Sequence, residues 1–151
     1  MKVAVGFDHR GVRLRAAVIA AIEADGHEVV DLGVDSDAVV VDYPDIAKDV
    51  GMSIRGAKAQ RGVVVCGSGV GASVAASKIP GIRAAICHDA YSAHQGVEHD
   101  DMNVLCLGSE VVGPSLAAEL VRAFLAATFV AEGRYLARLE KVEELEKLVD
   151  G

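Results

Sequence analysis

Short apolar runs alternate along the chain with longer stretches in which apolar residues recur every three or four positions. The runs "KVAVGF", "HEVVDLG", "RGVVVCG", "GIRAAICHD" and "NVLCLG" predict five strands. The third is apolar throughout its middle, the pattern of a strand covered on both faces. Between and after them, "GVRLRAAVIAAIEADG", "DYPDIAKDVGMSIRGA", "VGASVAASK", "AYSAHQGVEH" and "PSLAAELVRAFLAAT" predict helices. Gly26 closes the first of these, Pro44 and Asp45 open the second, and Pro114 sits in the first turn of the last. Five strand-then-helix units predict an α/β domain built on a mainly parallel sheet. The stretch "GVDSDAVVVDYP" is the least regular and reads as a loop. Nothing repeats and no linker interrupts the pattern, so residues 1–151 read as one domain.

The last segment, "RYLARLEKVEELEKLVDG", sets Leu136, Leu139, Val142, Leu145 and Leu148 in one apolar stripe beside a dense set of charges. It predicts an extra C-terminal helix over about 134–150. That helix packs either on its own domain or on a partner subunit. The second is favoured because the five units already carry their covering helices.

Composition narrows the partners. With 52% hydrophobic and 25% charged residues the chain is of ordinary globular type. A net charge of −7, three Tyr, three Phe and no Trp predict no nucleic-acid binding, which needs a basic stripe or stacking aromatics. No apolar segment approaches the ~18 residues of a membrane span, and Met1 leads straight into the first strand, so neither a membrane nor a secretory role is expected. Cys66, Cys87 and Cys106 are odd in number and contain no C-x-x-C, which argues against a disulfide scaffold or a zinc site and for a cytoplasmic location. The expected partner is a small molecule or another protein.

Candidate chemistry centres on "CGSGVG", residues 66–71, where the third strand meets its helix. In an open parallel sheet, ligands gather beyond the carboxyl ends of the strands. Glycines there let backbone N–H groups approach an anion that the helix N-terminus also favours. Gly67, Gly69 and Ala72 fit G-x-G-x-x-A, and Asp89 ends the next strand about 20 residues on, as in a dinucleotide site. Against that reading, the loop follows the third strand and not the first. A phosphate-binding P-loop fails for want of Gly-Lys-Ser/Thr. A cysteine phosphatase fails because its arginine falls on Ala72. Unpaired cysteines often serve as small core hydrophobes, which suits Cys106 and Cys87. Cys66 stands at a strand tip beside a helix N-terminus, an electropositive position of the kind reactive thiols occupy. It reads either as a packed thiol or as a base or nucleophile.

Three further clusters carry chemistry. "GFDHRG" brings Asp8 and His9 toward the same crevice if the first and third strands are neighbours, although Asp8 also suits a helix cap. "VEHDDMN" groups His99, Asp100, Asp101 and Asn103 in a predicted loop before the fifth strand. "GRYLAR" spaces Arg134 and Arg138 four apart on one helix face, able to converge on one anion or to remain solvated.

These segments, with "DYPDIA", "CGSGVGASVAASK", "GIRAAICHDAYSA" and "EHDDMNVLCLGSEVVGP", resemble end to end the ribose-5-phosphate isomerase B family, which includes the galactose-6-phosphate isomerase subunits. The resemblance implies a three-layer α/β/α sandwich on a five-stranded parallel, Rossmann-like sheet. It implies a homodimer or dimer of dimers without metal or organic cofactor, whose active sites are shared between subunits. Cys66 is then the base that removes the C2 proton of an opened aldose. The backbone of Gly67, Gly69, Val70 and Gly71 holds the enediolate oxygens with Ser68 assisting, and His99 opens the furanose ring. Asp8, His9 and Asp100 contact the sugar, and Arg134 and Arg138 grip the phosphate. Members that use a glutamate base carry it where Ala72 stands here. Asp100, Ser77, Tyr135 and Glu110 stand where the family commonly has asparagine, asparagine, histidine and a phosphate-binding arginine. The resemblance therefore implies interconversion of ribose 5-phosphate and ribulose 5-phosphate. Tetrose 4-phosphate, allose 6-phosphate or galactose 6-phosphate remain open as substrates, as does a sugar-phosphate or dinucleotide-binding module without catalysis.

Overall fold

The computed structural model describes residues 1–150; Gly151, the end of the predicted last segment, lies outside them. Strands β1 (Lys2–Phe7), β2 (Glu28–Asp31), β3 (Arg61–Cys66), β4 (Ala84–Ile86) and β5 (Val104–Gly108) form one sheet in the order β2-β1-β3-β5-β4, with every pairing parallel. The helices are α1 (Arg15–Ala24), α2 (Tyr43–Arg55), α3 (Val70–Ala76), α4 (Ala90–Asp100), α5 (Pro114–Ala126) and α6 (Gly133–Glu146).

Side chains alternate across the strands and so sort the core into two layers. Val3, Val5, Phe7, Val63, Val65, Leu105 and Leu107 face one side, against Leu14 and residues of α1, α4 and α5. Ala4, Val64, Cys66, Val104 and Cys106 face the other, against Ile46, Ala47 and Val50 of α2 and Ala72 and Ala76 of α3. The first layer holds the bulk: Phe7, Ile22, Leu105, Leu107, Leu120 and Phe124 are fully buried. Each contributes about 1.5–3 kcal/mol of transfer free energy. The result is the expected α/β/α sandwich, with β1 and β3 adjacent at its centre.

Departures from the predicted boundaries have local causes. The predicted strands 27–33 and 81–89 shorten to β2 and β4 because each lies at a sheet edge with a single strand partner. The first predicted helix begins as a 3₁₀ turn over Gly11–Leu14. Asp8 Oδ1 draws that turn tight by accepting from the N–H groups of Arg10 (2.9 Å) and Gly11 (2.7 Å). The last segment is α6 followed by a 3₁₀ turn over Lys147–Asp150. His99 ends the predicted helix, and Asp100 joins it there rather than lying in the loop. They form the last turn of α4, which stops where Asp101 turns left-handed at φ 49°. Glycine is the usual residue at such a stop, so the sequence carried no end signal there.

Of the α6 stripe only Leu139 is buried; Leu136, Val142, Leu145 and Leu148 remain exposed. No helix among the described residues is long and apolar enough to cross a membrane.

Candidate active site

The chain leaves β1 toward β2 on one side, while β3 lies on the other, so the sheet's switch point falls between β1 and β3. The loops after these strands, "DHRG" and "CGSGVG", therefore flank the crevice. Phe7 is level with Val65 and Cys66 with Gly108, which puts Asp8, Cys66 and Gly108 side by side along the carboxyl edge, with Ser109 next beyond.

Cys66 points to the α2/α3 side and is 4% exposed. Its Sγ accepts a hydrogen bond from the Gly69 N–H at 3.2 Å, closing the turn back toward the strand. Gly69 makes that turn at φ 80°, in the left-handed region that side chains disfavour. Ser68 is exposed, and its Oγ accepts from the Val70 N–H at 3.2 Å. The loop is pinned to the residues after β5: Ser109 N–H donates to the Cys66 carbonyl and Glu110 N–H to that of Gly67, both at 2.9 Å. Side chains crowd the bare backbone as well. A Cβ on Gly71 would stand 2.6 Å from the Tyr43 ring, and one on Gly67 2.5 Å from the Arg10 guanidinium carbon. The missing side chains thus make room for protein neighbours as well as for any ligand.

Asp8 is buried and caps its turn through Oδ1, which leaves Oδ2 for a ligand. His9 Nδ1 lies 3.1 Å from the Val41 carbonyl, tying the first loop to the irregular 33–42 segment. His88, beyond the end of β4, accepts from the Gly108 N–H through Nε2 at 3.0 Å. Burial holds its pKa below the usual 6.5, so the neutral imidazole is the form that fits there. The other two cysteines are core thiols. Burial and the Asp89 charge push Cys87 up to about 11, and deeper burial raises Cys106 further.

The remaining candidates form a second set elsewhere. Helix α4 starts beyond the carboxyl end of β4 and returns to the amino end of β5, so His99 and Asp100 lie at the opposite edge of the sheet from Cys66. The length of β5 separates the two edges, roughly 15 Å at ~3.3 Å per residue. His99 stacks on Tyr135, with ring centroids 4.4 Å apart, and lies 2.7 Å from Gln95 Nε2. Arg134 and Arg138 line a groove of about 540 Å³ with Glu132, Gly133 and Tyr135. A neighbouring groove of about 620 Å³ is lined by Tyr91, His94, Gln95, Glu98 and His99, among others. Among the described residues no three His, Cys, Asp or Glu side chains converge as metal ligands.

Residues 3–142 match the model of a family described as Ribose/Galactose Isomerase. The chain belongs to that family. Ribose-5-phosphate isomerase B of Escherichia coli K12 is 40% identical over 146 residues, covering 97% of each chain. A D-erythrulose-4-phosphate isomerase of Pectobacterium atrosepticum is 35% identical, covering 94% of this chain and 93% of its own. The solved ribose-5-phosphate isomerase B of Clostridium thermocellum superposes with a TM-score of 0.93 at 41% identity, over 99% of both chains.

Set against the family resemblance read from the sequence, the structure brings Cys66, Ser68, the loop glycines, Val70, Asp8 and His9 to one edge. It brings His99, Asp100, Arg134 and Arg138 to the other. Three neighbours of the first group had escaped notice. Tyr43 and Arg10 stand inside quoted motifs but had no role. His88 gave no signal, because its contact depends on β4 lying beside β5. Glu110, the acid in place of a common arginine, pairs with Arg13 at 3.0 Å and with Arg10 at 3.8 Å. Asp89, the acid of the dinucleotide pattern, caps α4 by accepting from the Ser92 N–H at 2.7 Å.

Proposed function

We propose that this protein interconverts D-ribose 5-phosphate and D-ribulose 5-phosphate through an enediolate, with Cys66 as the base. The observation that carries the reading is the Cys66 sulfur at the switch point, beneath a loop of backbone N–H groups and bonded to one of them. In the open-chain aldose, Cys66 takes the proton from C2. The C2–H electrons form the C1–C2 double bond, and the carbonyl electrons move to O1. Donors preorganised around the developing oxyanion lower that barrier. Loop N–H groups, with Ser68, fill this role. Cys66 then returns its proton to C1 and the hydroxyl proton of C2 passes to O1, so the product is a ketose and no electrons leave the substrate.

His99 as ring opener and Arg134 and Arg138 as phosphate ligands belong to the same proposal, but they lie on the far edge of their own chain. The reading therefore includes a homodimer, or a dimer of dimers, in which each glycine loop receives these residues from a second copy. The exposed leucines of α6 support such packing, since a solvated helix has no use for an apolar stripe.

The test is turnover of ribose 5-phosphate by purified protein, with Cys66→Ala as control. Wild type inactive on every four-, five- and six-carbon aldose phosphate tried would remove the assignment. Mixing Cys66→Ala chains with His99→Ala chains tests the shared site: activity should return as subunits exchange, and none returns if each chain builds its own. A second reading, isomerisation of a tetrose phosphate, is favoured by the similarity to the erythrulose-4-phosphate enzyme. A substrate panel ranked by kcat/KM decides between them. Tight binding of ribose 5-phosphate without conversion would instead indicate a sensing module.

A further inference from the structure

On the strength of the proposed isomerase reading, we infer that Arg10 is the cation on the glycine-loop side that engages the substrate's phosphate monoester, with Glu110 as the counter-ion that restrains it.

The geometry begins with the backbone. Arg10 follows the carboxyl end of β1, its N–H donating to Asp8 Oδ1 at 2.9 Å and its carbonyl accepting from Ser109 Oγ at 2.7 Å. Both ends of its peptide are thereby fixed between β1 and β5. The guanidinium lies across the bare face of Gly67, one residue from Cys66. A Cβ there would meet Cζ at 2.5 Å, Nη1 at 2.7 Å and Nε at 2.8 Å. Any side chain at position 67 would lift the guanidinium from the loop.

The charged groups around it are unequally paired. One carboxylate, Glu110, faces two guanidiniums, and Arg13 holds it at 3.0 Å while Arg10 stands off at 3.8 Å. Charge-assisted N–H···O bonds close to about 2.7–2.9 Å. Arg10 is therefore the less satisfied partner, and its side chain is 58% exposed at the mouth of the crevice. The Glu110 backbone is fixed beside the loop, its N–H bonded to the Gly67 carbonyl, and Arg13 holds its carboxylate on the Arg10 side. The arrangement leaves the Arg10 guanidinium with no carboxylate at hydrogen-bond distance, presented as a planar fork suited to a phosphate.

The acid at position 110 thus has a use. It stands next to Arg10 and limits how far the fork reaches, so it bears on the length of sugar phosphate the crevice accepts.

Arg10→Gln should raise KM for ribose 5-phosphate and the inhibition constant of inorganic phosphate by about tenfold or more, the usual worth of a bond to a charged group. Turnover at saturation should stay within about threefold of wild type, because uniform binding affects KM and not kcat. Glu110→Gln should act oppositely, tightening phosphate binding, and should shift the kcat/KM ranking across four-, five- and six-carbon substrates. A large fall in kcat with KM unchanged would overturn the inference by placing Arg10 on the enediolate. Unchanged constants in both variants would overturn it too. Calorimetric titration with inorganic phosphate tests the pair without turnover: an Arg10→Gln protein that binds phosphate as wild type does ends the inference whatever the enzyme's activity. If Arg10→Gln fails to fold, Glu110→Gln decides alone: tighter phosphate binding supports the inference, and unchanged binding refutes it.

Discussion

Replacing Gly108 by alanine asks whether β5 holds the glycine loop in its working shape. The new Cβ would stand 2.6 Å from the Ser68 carbonyl carbon and oxygen and 2.8 Å from its Cα. Carbon atoms in contact settle at about 3.5–4.0 Å, so relief requires a shift of about 1 Å. Neither side yields easily. Cys66 and Gly108 are paired in the sheet, Ser109 and Glu110 donate to the carbonyls of Cys66 and Gly67, and Gly108 N–H is bonded to His88. What can move is the Ser68 peptide, and with it the N–H groups proposed to meet the enediolate. Overpacking of this kind costs about 1–3 kcal/mol of stability. A displacement of ~1 Å in a reacting geometry costs about 100-fold in rate. The expected result is a folded protein with a lower urea midpoint and a kcat on ribose 5-phosphate reduced about 100-fold, the latter measured by ketose formation. Gly113→Ala is the control: nothing lies within 4 Å of its Cβ and its φ of −87° is ordinary, so activity should hold. A Gly108→Ala enzyme with wild-type kcat would refute the reasoning, because the loop would then tolerate the shift or have no part in the chemistry.

Other expectations follow from the same contacts. Cys66→Ala should lower kcat by about 10²–10⁴-fold, the range for a lost general base. Cys87→Ala should keep kcat, since that thiol is held protonated in the core; matched losses in both variants would contradict the division of roles. His88 gives a pH dependence with a defined sign. Its folded pKa lies below 6.5, so as pH falls through 6.5 the unfolded chain takes up a proton that the folded one resists. Wild-type stability should therefore drop between about pH 7.5 and 5.5 by more than that of His88→Asn, read as urea midpoints; parallel curves would exclude the effect. Leu145→Asp, on the exposed α6 stripe, should shift sedimentation toward the monomer and lower activity with it. An unchanged oligomer would place that stripe outside the interface.

The sheet was legible because strands such as "RGVVVC" bury both faces beyond their first residue, Arg61, and leave no polar position inside the run to mislead the pattern. The resemblance supplied the candidate residues, and "CGSGVG" announced its turn through Gly69. What the sequence concealed was spatial. Nothing in "VEHDDMN" says that α4 runs on to Asp100, because an aspartate in place of glycine makes the left-handed stop. His99 reaches the far edge because α4 leads into the amino end of β5, and a local motif cannot report on which edge it ends. The same limit applies to Glu110. Read along the chain, it is an acid in an anion site; in the fold it stands between two arginines that are about a hundred residues away in sequence. The parallel topology then makes its own demand. Every loop that enters a strand lies at one edge and every loop that leaves one lies at the other, so a chemistry needing both Cys66 and His99 cannot be assembled within one copy of this sheet. Either the two residues never act on the same molecule, or the functional unit contains a second chain turned to bring opposite edges together.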